Sequence, residues 1–356
     1  MPFSRIESVS FRNLADGAIQ TEAPSVFVVG ENGQGKSNFL DAVYTLCYGS
    51  SFRGGQDADA CRNGERAWSL RGVSPDGSNC VIAWEAGTKA IKEDGKPVRD
   101  RKRLVERNPA IVFCHEDMEF SRGEPERRRF FFDQTASLVS VGYIDLLRAY
   151  RRTLKARNQA LKDRSLDVLE VLDLQLASYG LGLRDARAAI AREFDGRFAP
   201  RFESVSRLGY RVGVSYRPSW RLDEGPDEVV ARLAAARDRE LALGTSLSGP
   251  HRDRFAFTDD SGDFSDRAST GQLRLLSLTL RIAQAEHYAG VSGRKPVLLL
   301  DDVLLELDPE KRRRFMEALP EAEQSFFTFL PGEPYRDYLR DGTIVYWTDD
   351  GRFSRT

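Results

Sequence analysis

Residues 30–37 read Gly-Glu-Asn-Gly-Gln-Gly-Lys-Ser, a glycine-rich run closed by a lysine and a hydroxyl. Those residue types at that spacing can hold a polyphosphate. Glycines at 30, 33 and 35 let the backbone curl tightly, because no Cβ blocks positive φ. Lys36 supplies a charge for the β- and γ-phosphates, and the Ser37 hydroxyl is a ligand for Mg²⁺. The chemistry also needs a strand before the turn and a helix after it. Backbone N–H groups and the positive end of the helix dipole then converge on one point. Ser25-Val26-Phe27-Val28-Val29 reads as the buried strand, and Asn38-Phe39-Leu40-Asp41-Ala42-Val43-Tyr44 opens the helix. Gly30, Glu31, Asn32, Gly33, Gln34, Gly35, Lys36, Ser37 and Asn38 are the expected nucleotide-binding residues.

A second constellation is Val297-Leu298-Leu299-Leu300-Asp301-Asp302, an apolar strand ending in two carboxylates. In proteins with such a loop, a strand next to it ends in an Asp that helps to hold Mg²⁺. Asp301 fits that role beside Ser37. Asp302 is placed to orient or deprotonate an attacking water. Lys36, Asp301 and Asp302 form the expected catalytic set; the plain alternative is a buried strand with a polar turn. A third segment, Ala268-Ser269-Thr270-Gly271-Gln272-Leu273-Arg274, precedes an apolar helix. Ser269 or Thr270 can cap that helix. Ser-x-Gly-Gln at a helix start also resembles the signature motif of ABC-type ATPases, which touches the γ-phosphate of nucleotide held by a partner subunit. That resemblance makes Ser269, Gly271 and Gln272 nucleotide-binding residues across a dimer.

These segments must be positioned by a chain of 356 residues that is 41% hydrophobic and carries 53 basic against 54 acidic residues. The near-cancelled charge gives no global basic signal, so nucleic-acid binding has to use a local patch. No stretch approaches 18 apolar residues and the N-terminus lacks a signal-peptide pattern, so a soluble, cytoplasmic protein is expected. Cys47, Cys61, Cys80 and Cys114 are widely spaced and form no Cys-x-x-Cys pair, which argues against structural zinc and a disulfide framework. Residues 1–115 read mostly as strands and turns, with a hairpin at Glu93-Asp94-Gly95-Lys96-Pro97. From about 125 to 243 glycine is scarce and apolar residues recur at helical spacing, as in Leu147, Leu154 and Leu161. After 246 an α/β texture returns. The expected architecture is an α/β nucleotide-binding lobe built from both chain ends, 1–120 and 245–356, with an α-helical lobe, 121–244, inserted between them.

The order and spacing of the motifs resemble the RecF family of bacterial recombination mediators over nearly the whole chain. The resemblance rests on Gly30 through Ala42 with Ser51-Phe52-Arg53, on Glu124-Pro125-Glu126-Arg127-Arg128-Arg129-Phe130, and on Tyr150-Arg151-Arg152-Thr153-Leu154-Lys155-Ala156-Arg157-Asn158. It extends through Leu247-Ser248-Gly249-Pro250-His251-Arg252-Asp253 and the run from Leu299 to Asp308. The resemblance implies an ABC-type, SMC-like head P-loop ATPase fold without the long coiled coil. It implies binding of ATP, Mg²⁺ and DNA, ATP-dependent dimerisation, and loading of recombinase at single-strand gaps with RecR and RecO. Asp308 matches the loop that crosses the dimer interface in ABC ATPases. Three departures touch the ATPase details: Cys114-His115 where Ser-Pro is usual, Leu305 in place of a small serine, and Thr328-Phe329-Leu330-Pro331 in place of a threonine-rich strand end.

For DNA, the helix expected over residues 143–163 advances about 100° per residue. Leu147, Tyr150, Leu154 and Leu161 fall on one side; Arg148, Arg151, Arg152, Lys155 and Lys162 form a separate stripe. The stripe is either a solvated helix face or a phosphate-contacting ridge with little sequence preference. Arg127, Arg128 and Arg129 form a further basic cluster. Two other readings share the nucleotide motifs. A transporter ATPase subunit would have far fewer residues between Lys36 and Ser269, and an SMC-like clamp would need a far longer heptad insert.

Overall fold

A computed structural model describes residues 2–305 and 307–356; Met1 and Glu306, the latter part of the run ending at Asp308, lie outside the described residues. The chain divides into two compact units, 1–117 with 284–356, and 118–283. The first unit begins with β1 (Arg5–Val9), β2 (Gly17–Gln20), β3 (Ser25–Val29), α1 (Lys36–Tyr48), β4 (Ala67–Val73), β5 (Asn79–Glu85), β6 (Thr88–Glu93), β7 (Lys96–Pro97), α2 (Lys102–Arg107) and β8 (Ala110–Phe113). The second holds α3 (Met118–Arg122), α4 (Pro125–Val139), α5 (Tyr143–Asp163), α6 (Leu169–Ser206), β9 (Gly213–Arg217), α7 (Pro226–Ala235), α8 (Arg237–Leu243), β10 (Arg254–Asp259), β11 (Gly262–Asp263) and the start of α9 (Thr270–Ser292). The chain then completes the first unit with β12 (Val297–Leu300), α10 (Pro309–Ala318), β13 (Gln324–Phe329), β14 (Ile344–Asp349) and β15 (Arg352–Arg355).

Two sheets build the first unit. One is antiparallel, in the order β2-β1-β4-β5-β6-β7; the other runs β15-β14-β3-β13-β12-β8 and is parallel except for its β15 edge. Phe39, Val43 and Leu46 of α1 share one core with Ile6, Leu70 and Ile82 of the first sheet and with Val26, Val28 and Leu299 of the second. The parallel strands are buried on both faces, so β3, β8 and β12 are unbroken apolar runs rather than alternating ones. The hairpin at 93–97 forms as expected, with Asp94 and Gly95 both at positive φ and Glu93 paired with Lys96.

The carboxylate strand β12 does not lie next to β3, because β13 is inserted between them and pairs in parallel with both. This places Thr328, one residue beyond the partner of Leu300, beside the carboxylates.

The second unit packs α4, α5, α6 and α7 with the three-stranded sheet β11-β10-β9. Its core joins Tyr150, Leu176, Leu183, Trp220 and Leu233. Phe132 stacks on Phe255 with ring centroids 4.1 Å apart, so β10 is bound to α4. By compactness residues 245–283 go with the helices, whereas sequence texture grouped them with the phosphate loop. The cause is the pairing of β10 with β9, from Arg254↔Arg217 to Thr258↔Gly213.

Candidate nucleotide site and nucleic-acid interface

The phosphate loop leaves β3 at Gly30 and enters α1 at Lys36. Its first glycine is sterically required: a Cβ there would lie 2.6 Å from Thr348 Cγ2 and 2.7 Å from the Thr348 carbonyl oxygen. Gly35, at φ 100°, turns the chain into the helix. Distant side chains tie the loop down. Asn13 donates to the Gly33 carbonyl at 2.9 Å and accepts from Asn38 Nδ2 at 2.7 Å. Thr348 Oγ1 donates to the Gln34 carbonyl at 2.9 Å, and the Asp350 N–H donates to Gln34 Oε1 at 2.6 Å. A cavity of about 210 Å³ is lined by Asn32, Gly33, Gly35, Lys36, Ser37, Asn38, Arg53 and Asp302. Glu31 contributes its backbone carbonyl to Lys36.

Lys36 is buried, and its Nζ donates to the carbonyls of Gly30 at 2.8 Å and Glu31 at 3.1 Å. Its third donor direction faces Asp302 Oδ2 at 3.7 Å. Ser37 Oγ donates to Asp301 Oδ1 at 2.8 Å, joining positions 264 residues apart in sequence. Burial pushes the Asp301 carboxyl up to about 6, against the pull of the Ser37 hydrogen bond. Asp302 sits in the left-handed region at φ 48°, and its N–H donates to Thr328 Oγ1 at 2.7 Å. The Thr328 hydroxyl lies 3.1 Å from Asp301 Oδ1 and 2.8 Å from Asp302 Oδ1. With a single proton it donates to one carboxylate at a time.

The donor set fits Mg²⁺. Ser37 Oγ and Asp301 Oδ1 are hard oxygens, and the buried carboxylate gains from a cation. Among the described residues no group of three or more His, Cys, Asp or Glu could cage a metal. Nucleotide oxygens and water would complete the shell, as Mg²⁺ prefers.

The structure thus brings Lys36, Ser37, Asp301 and Asp302 together. Asp308, exposed, caps α10: its Oδ1 accepts from the Lys311 N–H at 2.9 Å and its Oδ2 pairs with Lys311 Nζ at 2.6 Å. Ser269, Gly271 and Gln272 belong to the second unit, where Ser269 and Gln272 cap α9 reciprocally. Ser269 and Gly271 stay exposed there. Sequence reasoning missed Asn13 and Thr348, and it quoted Arg53 only for the family resemblance, without a place at the loop. Thr328 was noted only as a departure, yet its hydroxyl lies within hydrogen-bond reach of both carboxylates. Cys114 and Asp117 close a turn after β8, with the Cys114 N–H donating to Asp117 Oδ2 at 3.0 Å.

On α5, Tyr150 and Leu161 are buried, and Leu147 and Leu154 pack against the core. Arg148, Arg151, Arg152, Lys155 and Lys162 are all exposed. Arg148 lies 3.7 Å from Asp145, and Arg151 3.6 Å from Asp133. The Arg127-Arg128-Arg129 cluster is not a surface unit. Arg128 donates to the carbonyls of Ser121 at 2.8 Å and Phe255 at 3.2 Å, and Arg129 to that of Asp253 at 2.9 Å. No helix among the described residues is long and apolar enough to cross a membrane.

A family model described as AAA domain, putative AbiEii toxin, Type IV TA system matches residues 25–332. The DNA replication and repair protein RecF of Treponema pallidum (strain Nichols) is 42% identical over 97% of this chain and 98% of its own length. The solved structure of the recombination mediator protein RecF-ATP in the RecFOR pathway matches with a TM-score of 0.89 at 26% identity, covering 99% of this chain and 97% of that one. An Smc head bound to the C-winged helix domain of ScpA matches with a TM-score of 0.59 at 13% identity, covering 100% of this chain and 98% of that one, a likeness of fold. The fold is that of the ABC-type, SMC-like ATPase heads, and the chain belongs to the RecF family of DNA replication and repair proteins.

Proposed function

We propose that this chain is an ATP-switched DNA-binding protein of recombinational repair, acting in the cytoplasm. It binds ATP with Mg²⁺, dimerises on it and hydrolyses it slowly, with stimulation by DNA. It assists recombinase loading at single-strand gaps together with RecO and RecR. The observation that carries the reading is the junction of Lys36, Ser37, Asp301 and Asp302 at one phosphate loop. The similarity to a RecF protein solved with ATP supports the nucleotide.

In this reading the loop N–H groups and Lys36 hold the phosphates. Lys36 gives up its carbonyl contacts to Gly30 and Glu31 when a phosphate offers stronger, charged acceptors. Ser37 and Asp301 would hold Mg²⁺, which supplies charge neutralisation at the phosphate oxygens. Asp302, held by Thr328, orients water and takes its proton. Ser269, Gly271 and Gln272 meet the nucleotide of a second subunit, and Asp308 lies at that interface. Functionally, 1–120 and 245–356 act as the ATPase lobe because they carry all the nucleotide motifs, and 121–244 as the helical lobe, although compactness divides the chain at 283/284. The exposed stripe Arg148, Arg151, Arg152 and Lys155 contacts DNA phosphates.

Sizing chromatography with a slowly hydrolysed ATP analogue, then with duplex DNA added, tests the switch. The expected result is a doubled apparent mass with the analogue and co-elution with DNA. A chain that binds the analogue and stays monomeric with DNA present would overturn it.

A further inference from the structure

The hairpin of α5 and α6 changes character at its turn. α5 shows solvent a basic face, but between Arg164 and Arg184 the sequence holds no Lys or Arg. The charged residues in that stretch are Asp167, Glu170 and Asp173. Asp173 is buried and paired with Arg157 at 2.6 Å and Arg237 at 2.8 Å, so the charge this stretch leaves at the surface is acidic. Beside it four large aliphatic side chains are turned outward: Leu166 is 53% exposed, Val168 41%, Val171 57% and Leu174 60%. Val171 and Leu174 are neighbours at i, i+3 on α6, and Val168 ends the short 3-10 turn that leads into the helix. Leu169 and Leu176 are wholly buried, so the inward face of α6 is already complete without them.

Single exposed aliphatic residues need no explanation, but a contiguous run of them rimmed by polar residues marks an interaction surface. We infer that the turn and first part of α6 form a docking surface for a partner protein that presents an apolar surface flanked by basic side chains. Charge decides between occupants. Asp167 and Glu170 repel nucleic-acid phosphates and anionic lipid alike. A second copy docking through the same patch would set Asp167 and Glu170 against their own equivalents, and the exposed Arg164 at the start of the turn leaves that acidic charge in excess. A basic-rimmed protein gains from both. The hairpin then keeps two separate faces, basic on α5 and apolar-acidic on α6, which lets one helical unit hold nucleic acid and a protein at once.

The inference rests on the proposed work with RecO and RecR, so the probes are the RecR and RecO proteins of the same organism, titrated into the purified full chain. The variants are Val171→Glu with Leu174→Glu, and separately Glu170→Lys. One probe is expected to bind the parent chain and to bind the double variant about tenfold or more weakly, as loss of a buried aliphatic anchor does. Glu170→Lys should weaken binding at low salt, with the effect fading as salt is raised. Affinity for ATP and duplex, and the melting temperature, should stay at parental values in both. Equal affinity of parent and variants for the probe would overturn the inference. So would a parent chain that binds ATP and duplex but neither probe, or one that self-associates without nucleotide through a contact the double variant abolishes. The functional reading fails by a different signature, loss of ATP and duplex binding in the parent chain.

Discussion

Asp302 is held in an unusual backbone state by a specific partner. Its φ of 48° suits Asn as well as Asp, and its N–H and one carboxylate oxygen both meet Thr328 Oγ1. Asp302→Asn therefore keeps the backbone and the Thr328 contact while removing a proton acceptor. Equilibrium ATP binding should be retained, phosphate release should fall about 100-fold or more, and the ATP-bound dimer should last longer. A collapse of nucleotide affinity would instead make Asp302 a magnesium or structural residue. A second residue-scale expectation concerns His251. Its Nε2–H donates to the Ser246 carbonyl at 3.1 Å, so Nδ1 accepts from the Tyr150 hydroxyl at 2.7 Å, and the ring is neutral. Burial lowers its pKa from 6.5 to about 4, and Arg252, Arg129 and Arg157 push the same way. Between those values the unfolded chain binds the proton and the folded one does not. The stability is thus fully present above pH 6.5 and is lost as pH falls toward 4. With screening allowed for, the loss is about 1–2 kcal/mol. Urea midpoints of the parent and His251→Gln should converge as the pH drops through that window; parallel curves would show that the ring is not the titrating group.

At the scale of elements, α5 is the sharpest case. One face is fixed by Tyr150 and Leu161 in the core, which leaves the basic stripe outward whatever it binds. If the stripe contacts phosphates, each neutralisation should weaken duplex binding about equally across sequences and lower the log–log salt slope by about one unit. A variant with Arg148→Ser, Arg151→Ser and Arg152→Ser should lose about three units of slope at unchanged ATP affinity and melting temperature. Retention of the parental slope would move the DNA surface elsewhere. The Arg127-Arg128-Arg129 cluster is then a poor substitute, because two of its guanidiniums are spent on the carbonyls of Ser121, Phe255 and Asp253. The contrast explains what was legible in the sequence. Helical periodicity reports which side of a helix is buried, so α5 could be read. A charge run reports nothing about carbonyls that a distant strand brings to it, so Arg128 and Arg129 could not. The loop itself was readable because β3, its glycines and α1 are contiguous. Asn13, Thr328 and Thr348 were not, since isolated polar residues carry no period and reach the loop only through sheet order. The insertion of β13 between β3 and β12 is likewise a fact of topology that no local pattern encodes.

At the scale of the molecule, the proposed nucleotide motifs are split between two compact units. Lys36, Ser37, Asp301 and Asp302 lie in one, and Ser269, Gly271 and Gln272 in the other, with α9 running from the second unit into the first. Compactness and the proposed function therefore draw different boundaries. The texture of the sequence, with its strand-like runs and turns, placed the return at 245, while contacts place it at 284 because β10 pairs with β9. The functional boundary makes a prediction that the compact one does not. If Ser269 serves the nucleotide of a second subunit, Ser269→Arg should leave ATP affinity of the monomer unchanged and block closure of the dimer. The substitution also removes a cap, since the Gln272 N–H now meets Ser269 Oγ at 3.3 Å, and lost caps cost about 1 kcal/mol. Ser269→Asn separates the two effects, because Asn caps as well as Ser while adding no bulky cation. Ser269→Asn should keep the melting temperature and lose dimerisation only modestly. Ser269→Arg should abolish the ATP-dependent dimer in sedimentation while titration of the monomer with nucleotide stays at the parental Kd. Equal losses of monomer binding and dimerisation would make this motif only the cap of α9.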